Sequence, residues 1–356
     1  MKKYLPIVLI MAFISTLLVG CDSVTMMDSL DEPATDLHQR VNQFYAQSGG
    51  FSGAVIVIQD GEIILSDAFG VMNLETLAYN TLDTPFPIQP LTKMLTGTAI
   101  LLLEADGALD TSDTLDNFFD GHDNLRYITI SHLLSKSGGF GGSTPLARAF
   151  LAEPDYIRDM TPQEFEPYVL AHWRGGSLNC PYATLDYWML GRIIEQASGM
   201  SYEEFMQSRI FDLIGMENAG FVHTHEFAIP IQAHIRDYDS WENLMGTENF
   251  PFFLFYSFGG IVASANDLAL WLDSFFGSKL FPADMLTQIN NGAFNYGWMF
   301  HESGLWYYDR ASGSSIIYDQ NSDTKIIVLS NFSTRDTKAW DLSSAIAETL
   351  LNITIQ

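Results

Sequence analysis

A serine followed three residues later by a lysine can support nucleophilic chemistry, because this spacing places both side chains on one face of a helix. The sequence contains one literal pair of this kind, Ser322-Asp-Thr-Lys325. It lies between two strand-like runs, so it predicts a polar hairpin turn and no helix. We therefore expect no catalytic role for this pair.

Two other groups of residues could carry chemistry. Cys180 is intrinsically nucleophilic, but a lone cysteine is usually a buried structural thiol. His223, His225 and Glu226 could suggest a metal site, yet i and i+2 side chains on an extended segment face opposite sides. No convergent third ligand is evident. We therefore expect no metal and no other cofactor.

Hydrophobic periodicity and turn residues predict the helices and strands along the chain. Asp60-Gly61 between two β-branched runs predicts a hairpin over residues 51–66. Leu91 to Ala105, followed by Gly107 at a C-cap position, predicts a strongly apolar helix. Further helices are predicted over residues 37–48, 129–135, 185–197, 201–213, 265–276 and 340–351, and strands over 296–301, 305–308, 314–318 and 325–331. This order predicts a mainly antiparallel sheet covered by helices, with a helical lobe inserted.

The N-terminus has the features of an export signal. Lys2 and Lys3 precede an apolar run from Tyr4 to Gly20, which is too short and too abruptly followed by polar residues to be a comfortable spanning helix. The run ends in Leu-Val-Gly-Cys21, which resembles the lipobox of bacterial lipoproteins. The resemblance implies cleavage before Cys21 and acylation of its sulfur. The alternatives are an uncleaved signal anchor and an ordinary secreted protein.

Residues 21–36 are mostly polar and predict a tether between the membrane and the folded body. Asp22 follows the lipidated cysteine, and in Gram-negative lipoproteins this residue is associated with retention at the inner membrane. With Cys21 lipidated, Cys180 has no disulfide partner. The expected location is therefore the outer face of the inner membrane, if the host is Gram-negative.

The charge balance excludes one class of partner. The 356-residue chain has 17 basic and 43 acidic residues, for a net charge of −26. Removal of residues 1–20 leaves 15 basic and 43 acidic residues, a net charge of −28. Nucleic acids and anionic membrane surfaces repel such a chain, so we expect no nucleic-acid binding, and membrane attachment through lipid alone.

Short phrases spread over residues 38–350 point to one family. They are Phe51-Ser-Gly-Ala-Val, Ala68-Phe-Gly, Asn73-Leu-Glu-Thr76, Ile128-Thr-Ile-Ser-His-Leu-Leu134, Ser137-Gly-Gly139, Leu190-Gly-Arg-Ile-Ile-Glu195, Gly259-Gly-Ile-Val-Ala-Ser264, Asp267-Leu-Ala269 and Ile327-Val-Leu-Ser-Asn331. Their order resembles the serine β-lactamase and penicillin-binding-protein superfamily, in the branch of class C β-lactamases, D-alanyl-D-alanine carboxypeptidases and esterases. The resemblance implies an α/β (α+β) fold of the β-lactamase/transpeptidase type.

The family's chemistry needs a serine and a lysine at i and i+3 at the start of the first long helix. The matching stretch is Phe86-Pro-Ile-Gln-Pro90-Leu-Thr-Lys93, so Lys93 is present and Pro90 stands at the nucleophile position. Proline is well tolerated at a first helical position. It lacks both the hydroxyl and the backbone N–H that in this family lines the oxyanion hole. Thr92 points to another helical face and is a poor replacement nucleophile.

The other two family motifs are also altered. The Tyr-x-Asn motif resembles Tyr182-Ala-Thr184, which keeps the tyrosine as a general-base candidate and has a shorter hydroxyl in place of the amide. The Lys-Thr-Gly or His-x-Gly motif should fall ahead of Ser314, where residues 305–313 offer neither Lys nor His. Arg310 could supply a cation. We expect Lys93, without its serine, to lie against Tyr182 or another polar group, because an unpaired buried ammonium is costly.

The aromatic run Asn249-Phe-Pro-Phe-Phe-Leu-Phe-Tyr-Ser-Phe258 has two interpretations, lobe core or an apolar wall at the mouth of the site. Core is favoured, since aromatic residues mostly serve burial.

These expectations define three regions: a signal peptide at 1–20, a tether at 21–36 and a β-lactamase-related domain at 37–356. Within the domain we expect a sheet lobe at 37–84 and 259–356 and a helical lobe at 85–258. The leading hypothesis is a lipoprotein without acyl-serine catalysis, whose cleft binds a peptidoglycan-derived peptide or an envelope protein. One alternative is an active esterase, β-lactamase or carboxypeptidase with a relocated nucleophile. Another is a purely structural lipoprotein.

Overall fold

The computed structural model describes residues 37–39, 41–44, 51–142, 160–173, 183–225, 228, 252–289, 294–300, 304–308, 313–331 and 339–352. The predicted signal peptide, Cys21 and the tether lie outside these residues. No helix within the described ranges is long and apolar enough to cross a membrane.

The larger sheet of the described residues has seven antiparallel strands, which agrees with the predicted antiparallel sheet. Its strand order is β2-β1-β10-β9-β8-β7-β6. The bounds are β1 Gly53–Gln59, β2 Glu62–Phe69, β6 Phe294–Asn295, β7 Trp298–Phe300, β8 Leu305–Tyr308, β9 Ser314–Asp319 and β10 Thr324–Ser330. The N-terminal hairpin therefore pairs with a strand from the far end of the chain.

The β1–β2 turn has the conformation that its sequence predicts. Asp60 and Gly61 both have positive φ, of 51° and 79°. A tight turn of this handedness matches the twist of the flanking strands, and aspartate and glycine tolerate it better than β-branched residues. The predicted hairpin is confirmed.

Helices cover both the large sheet and the rest of the described chain. They are α1 Thr92–Ala105, α2 Ile130–Leu134, α3 Pro162–His172, α4 Thr184–Ser198, α5 Tyr202–Met206, α6 Phe252–Gly259, α7 Ala265–Phe276, α8 Leu286–Ile289 and α9 Ala339–Leu351, and α5 continues through a π turn, Gln207–Phe211, into Asp212–Ile214. Residues 37–39 and 41–44 are also helical. Local signals set several starts: the Ser264 hydroxyl accepts from the Asp267 N–H, while the Asp267 carboxylate accepts from the Ser264 N–H.

Alternating side chains give the large sheet two buried faces. Ile56, Ile316 and Ile327 face a core shared with α1, α4 and α7. Val57 and Val328 face a second core closed by α9 and residues 37–44. Because side chains alternate along a strand, a single register fixes both cores at once.

Two features depart from the predictions. A second sheet of three short strands, in the order β3-β5-β4, was not predicted; its strands are β3 Phe86–Pro87, β4 Gly220–Phe221 and β5 Ile261–Ala263. The strand predicted over residues 296–301 contains β7 but was placed to begin too early, since Tyr296 and Gly297 form the turn between β6 and β7. Gly297 has φ 88°, and an added Cβ would lie 2.5 Å from the backbone nitrogen of Met94. This turn therefore presses against the first turn of α1.

Candidate active site

Pro90 lies in a short 3-10 turn, Gln89–Leu91, that leads from β3 into α1. Gln89, the residue before it, has φ 46°, a left-handed conformation that is uncommon for a residue other than glycine. Two backbone contacts hold the segment: Ile88 N–H donates to Ile261 O at 3.1 Å, and Ser314 Oγ donates to Ile88 O at 2.8 Å. The position that holds a serine in the family thus lies beside β5 and the start of β9.

Lys93 is in the first turn of α1 and is 3% exposed. Its Nζ lies 5.3 Å from the ring centroid of Phe258 and 6.0 Å from that of Tyr187. Tyr182, its expected neighbour, lies outside the described residues. Within the described residues, Lys93 therefore rests against aromatic faces rather than against a hydrogen-bonded polar group, and it does not extend into solvent.

Asp186 is buried on α4, and Lys136, in the loop after α2, is near enough for its charge to influence both Asp186 and Lys93. The Asp186 carboxylate accepts hydrogen bonds from Gly138 N–H at 2.8 Å and Phe140 N–H at 3.0 Å. Burial raises the pKa of Asp186 to about 7, against the opposing effect of these two amides and of Lys136. Burial likewise lowers the pKa of Lys136 to about 7, while the charge of Asp186 acts in the opposite direction. The loop after α2 is thus fastened to α4 by a carboxyl that titrates near neutrality.

These charges act on Lys93. Burial holds the pKa of its amine well below the ordinary lysine value, and the neighbouring Lys136 lowers it further. A neutral amine costs less than an ammonium in such surroundings. Both effects lower the pKa of the Lys93 amine.

The structure describes only some residues of the second and third family motifs. Thr184 begins α4, whose following residue, Leu185, donates its N–H to Gly141 O at 3.1 Å. Arg310 lies outside the described residues, and of the stretch expected to hold the third motif the structure describes Leu305–Tyr308 and Gly313. An added Cβ at Gly313 would lie 2.6 Å from Ser330 O, so β9 begins in close contact with β10.

The aromatic run supplies both core and wall. Phe253, Tyr256 and Phe258 are buried, and Phe258 also covers the Lys93 amine. Tyr256 interrupts α6 with φ 24° and ψ −109°. This kink separates the helical turn that packs on α4 from the residues that approach Lys93.

The structure describes parts of the two groups that were given no catalytic or metal-binding role: the Ser322–Lys325 pair and the His223–Glu226 segment. Ser322 lies in the β9–β10 turn, where its hydroxyl donates to Asp319 at 2.6 Å, which confirms the predicted hairpin turn. His223 Nε2 lies 3.2 Å from a Glu203 oxygen, while Glu226 and Cys180 lie outside the described residues. No cluster able to hold a metal ion occurs within the described ranges.

Sequence reasoning missed Lys136 and Asp186 as members of the site. The available signal was weak: Lys136 is a charged residue in a Ser/Gly loop, directly before a phrase shared with the family. Its φ of 57° and its partly buried position depend on the folded loop.

Comparisons with known proteins identify the family of the chain. The Beta-lactamase family model matches residues 37–350. The chain is 31% identical over 193 residues to PbpX of Bacillus subtilis (strain 168), which carries a penicillin-binding-protein name, covering 54% of this chain and 46% of the relative. It is 28% identical over 170 residues to penicillin-binding protein 4* of the same strain, covering 47% and 37%. The chain thus spans less than half the length of these relatives.

Solved structures show the same fold. The octameric penicillin-binding protein homologue from Pyrococcus abyssi aligns with a TM-score of 0.70 and 21% identity over 90% of this chain and 78% of that one. FmtA from Staphylococcus aureus aligns with a TM-score of 0.71 and 15% identity over 96% and 94%. With the family model covering most of the sequence, the chain belongs to the Beta-lactamase family.

Proposed function

We propose that this chain is a non-catalytic Beta-lactamase-family protein that acts as a binding or scaffolding protein at the bacterial cell envelope. The observation that carries the proposal is Pro90 at the nucleophile position, in a turn that leads directly to Lys93. A proline has neither a hydroxyl to acylate nor a backbone N–H to donate to an oxyanion. The ligand class that suits a cleft of this family is a peptidoglycan-derived peptide, and an envelope protein is the second candidate.

Export and membrane attachment through Cys21 belong to the same proposal. They rest on the basic, apolar and lipobox-like order of residues 1–21. Metabolic labelling with an alkyne palmitate analogue tests them. Label should enter the wild-type protein and be lost in Cys21→Ala, and equal labelling of both would contradict lipidation at Cys21.

Turnover measurements test the non-catalytic part. Purified protein should hydrolyse neither a chromogenic cephalosporin nor a chromogenic ester above the rate of the Lys93→Met variant, and should release no D-alanine from a D-Ala-D-Ala peptide. Hydrolysis that disappears in Lys93→Met, Tyr182→Phe or Cys180→Ala would instead support an active hydrolase with a relocated nucleophile. Binding is tested separately by a thermal shift with muropeptides, and the absence of any shift would favour a purely structural protein.

Restoring the serine alone should not restore acylation. Pro90→Ser is expected to change the free energy of unfolding by no more than about 1 kcal/mol, chiefly through the unfolded chain. It should remain unlabelled by a fluorescent penicillin, because the second and third motifs are altered too. Pro162→Ser, at the first position of α3, is the matched control for the stability effect. Stoichiometric labelling of Pro90→Ser would show that the remaining site is competent.

A further inference from the structure

A loop that follows β2 presents large apolar side chains to solvent. Leu74, Leu77 and Tyr79 are 42%, 63% and 79% exposed. All residues from 74 to 79 are exposed, and Glu75 is the one charged residue among them. Single exposed apolar residues are common on protein surfaces, but three large ones within one short loop form a local apolar cluster.

Hydrogen bonds hold this loop, residues 71–79, in one shape. Asn73 Oδ1 accepts from the Glu75 N–H at 2.7 Å, and Asn73 O accepts from the Leu77 N–H at 2.9 Å. Val71 and Tyr79 pair as an antiparallel bridge and close the loop. Leu77 has φ 57°, a left-handed conformation that is uncommon for leucine. The backbone therefore fixes the apolar side chains at the surface without help from a partner.

The base of the loop is joined to the large sheet. Asn80 Nδ2 donates to Phe69 O at 2.8 Å and to Ser52 Oγ at 3.0 Å. Asn331 Nδ2 donates to Val71 O at 2.9 Å. The loop is thus an ordered extension of the sheet, so binding a partner through it requires little additional ordering of the chain.

The first described residues of the chain lie beside the same strand. His38 Nε2 lies 3.8 Å from Asp67 Oδ2 on β2. Four positions of extended strand, about 13 Å, separate Asp67 from the start of the loop. Cys21 lies 16 positions before Leu37, and a chain of that length reaches at most about 55 Å. A Cys21 anchored in a bilayer would therefore keep the loop within reach of the lipid surface.

The opposite end of β2 has a different character. Ile63 is 61% exposed there, but it follows the exposed acidic residues Asp60 and Glu62. Seven positions of strand, roughly 23 Å, separate Ile63 from Gly70 at the start of the loop. The strand thus has an acidic end and an apolar end, and the apolar end is the one that suits a bilayer.

We propose that the loop 71–79 is a membrane-docking element that inserts Leu74, Leu77 and Tyr79 into the interface of the bilayer that holds Cys21. Leucine side chains suit the boundary with the acyl chains, and a tyrosine ring suits the headgroup level. The inference rests on the proposed attachment through Cys21 and adds to it a contact made by the folded domain. A lipid surface is favoured over a protein partner, because the loop lies near the part of the domain that leads to Cys21.

Site-specific fluorescence of the full-length protein tests the proposal. A dansyl amino acid replaces Leu77 in one protein and Ile63 in a matched control, since the two side chains are 63% and 61% exposed. Each protein is reconstituted into vesicles of equal parts phosphatidylcholine and phosphatidylethanolamine and floated on a density gradient. We expect the label at 77 to emit at shorter wavelength and to be quenched by nitroxide-bearing lipid, and the label at 63 to keep its emission in water.

A second variant tests the role of the neighbouring apolar side chains. Leu74→Ser and Tyr79→Ser, combined with the label at 77, should move its emission back toward the value in water. Both side chains are exposed, so the circular dichroism spectrum should stay that of the wild type.

Three outcomes would overturn the proposal. Emission in water from the label at 77 in floated protein would exclude lipid contact, leave attachment through Cys21 intact and favour an envelope protein as the partner of the loop. Equal shifts at 77 and 63 would contradict docking through one end of β2. Protein that does not float would contradict both docking and membrane attachment, and the palmitate labelling of Cys21 then shows independently whether the anchor is present.

Discussion

Replacing Arg192 with alanine should lower the free energy of unfolding by about 3–5 kcal/mol. The Arg192 guanidinium is 9% exposed; it donates from Nε to Glu166 at 2.7 Å and also pairs with Glu195. Glu195 in turn accepts from the Tyr202 N–H at 3.1 Å, at the start of α5. Removal of the cation leaves two carboxylates in a largely buried position between α3, α4 and α5. Urea denaturation followed by circular dichroism measures the loss.

Arg209→Ala is the matched control for this prediction. Arg209 pairs with Asp106 at 2.7 Å, but the two side chains are 39% and 46% exposed. Exposed pairs contribute about 0–1 kcal/mol, so this variant should be close to wild type. Equal losses in the two variants would contradict the importance that we assign to burial of the Arg192 pair.

The second large effect is a dependence of stability on pH above neutrality. In the folded state the pKa of Lys136 is about 7, well below its value in the unfolded chain. Between these two values the unfolded state binds more protons than the folded state, so stability rises with pH by up to about 1.4 kcal/mol per unit. The difference in unfolding free energy between wild type and Lys136→Met should therefore grow by about 2–3 kcal/mol from pH 8 to pH 10.

Neighbouring groups do not reverse this sign. The raised pKa of Asp186 means that its contribution is lost as pH rises toward 7, below the window. Lys93 acts in the same direction as Lys136 and is present in both proteins. Lys325→Met is the control, because the raised pKa of Lys325 places its titration above the window. The difference between wild type and Lys325→Met should stay constant, and a constant difference for Lys136→Met as well would contradict a buried Lys136 with lowered pKa.

Local sequence signals predicted much of the large sheet and its covering helices. The Asp60-Gly61 turn, the glycine after α1 and the serine before α7 each act through backbone contacts within a few residues. Such contacts depend only on residues close together in the sequence, so they can be predicted without knowing the tertiary structure. The order of the strands in the sheet cannot be predicted from hydrophobic periodicity alone. The fold type was predicted from the short segments that resemble the family.

The three-stranded sheet could not be predicted in the same way. Its strands are two or three residues long, and β3 and β5 are separated by more than 170 positions. Strands this short have no detectable period, so only the packing of the helices around them brings Phe86 opposite Ala263. The kink at Tyr256 is likewise a product of packing.

In the candidate site, too, residues within one short stretch were predictable and residues brought together by folding were not. Pro90 and Lys93 were predicted because the family resemblance locates the motif in one short stretch, which the structure divides between the 3-10 turn Gln89–Leu91 and the first turn of α1. Lys136 and Asp186 come together through the loop 135–140, whose Gly138 and Phe140 amides bind the carboxylate. Burial decides their pKa values, and burial of a loop lysine is not encoded in its neighbours.

We propose that Pro90 leaves this member of the Beta-lactamase family without a group that can be acylated by the family's chemistry. The intact mass of the wild-type protein after incubation with a penicillin tests this most directly, with a catalytically active family member treated in parallel. We predict that the mass stays that of the unmodified chain while the active relative gains one penicillin. A stoichiometric adduct on the wild-type chain would contradict the claim, and its position by peptide mapping would identify the nucleophile.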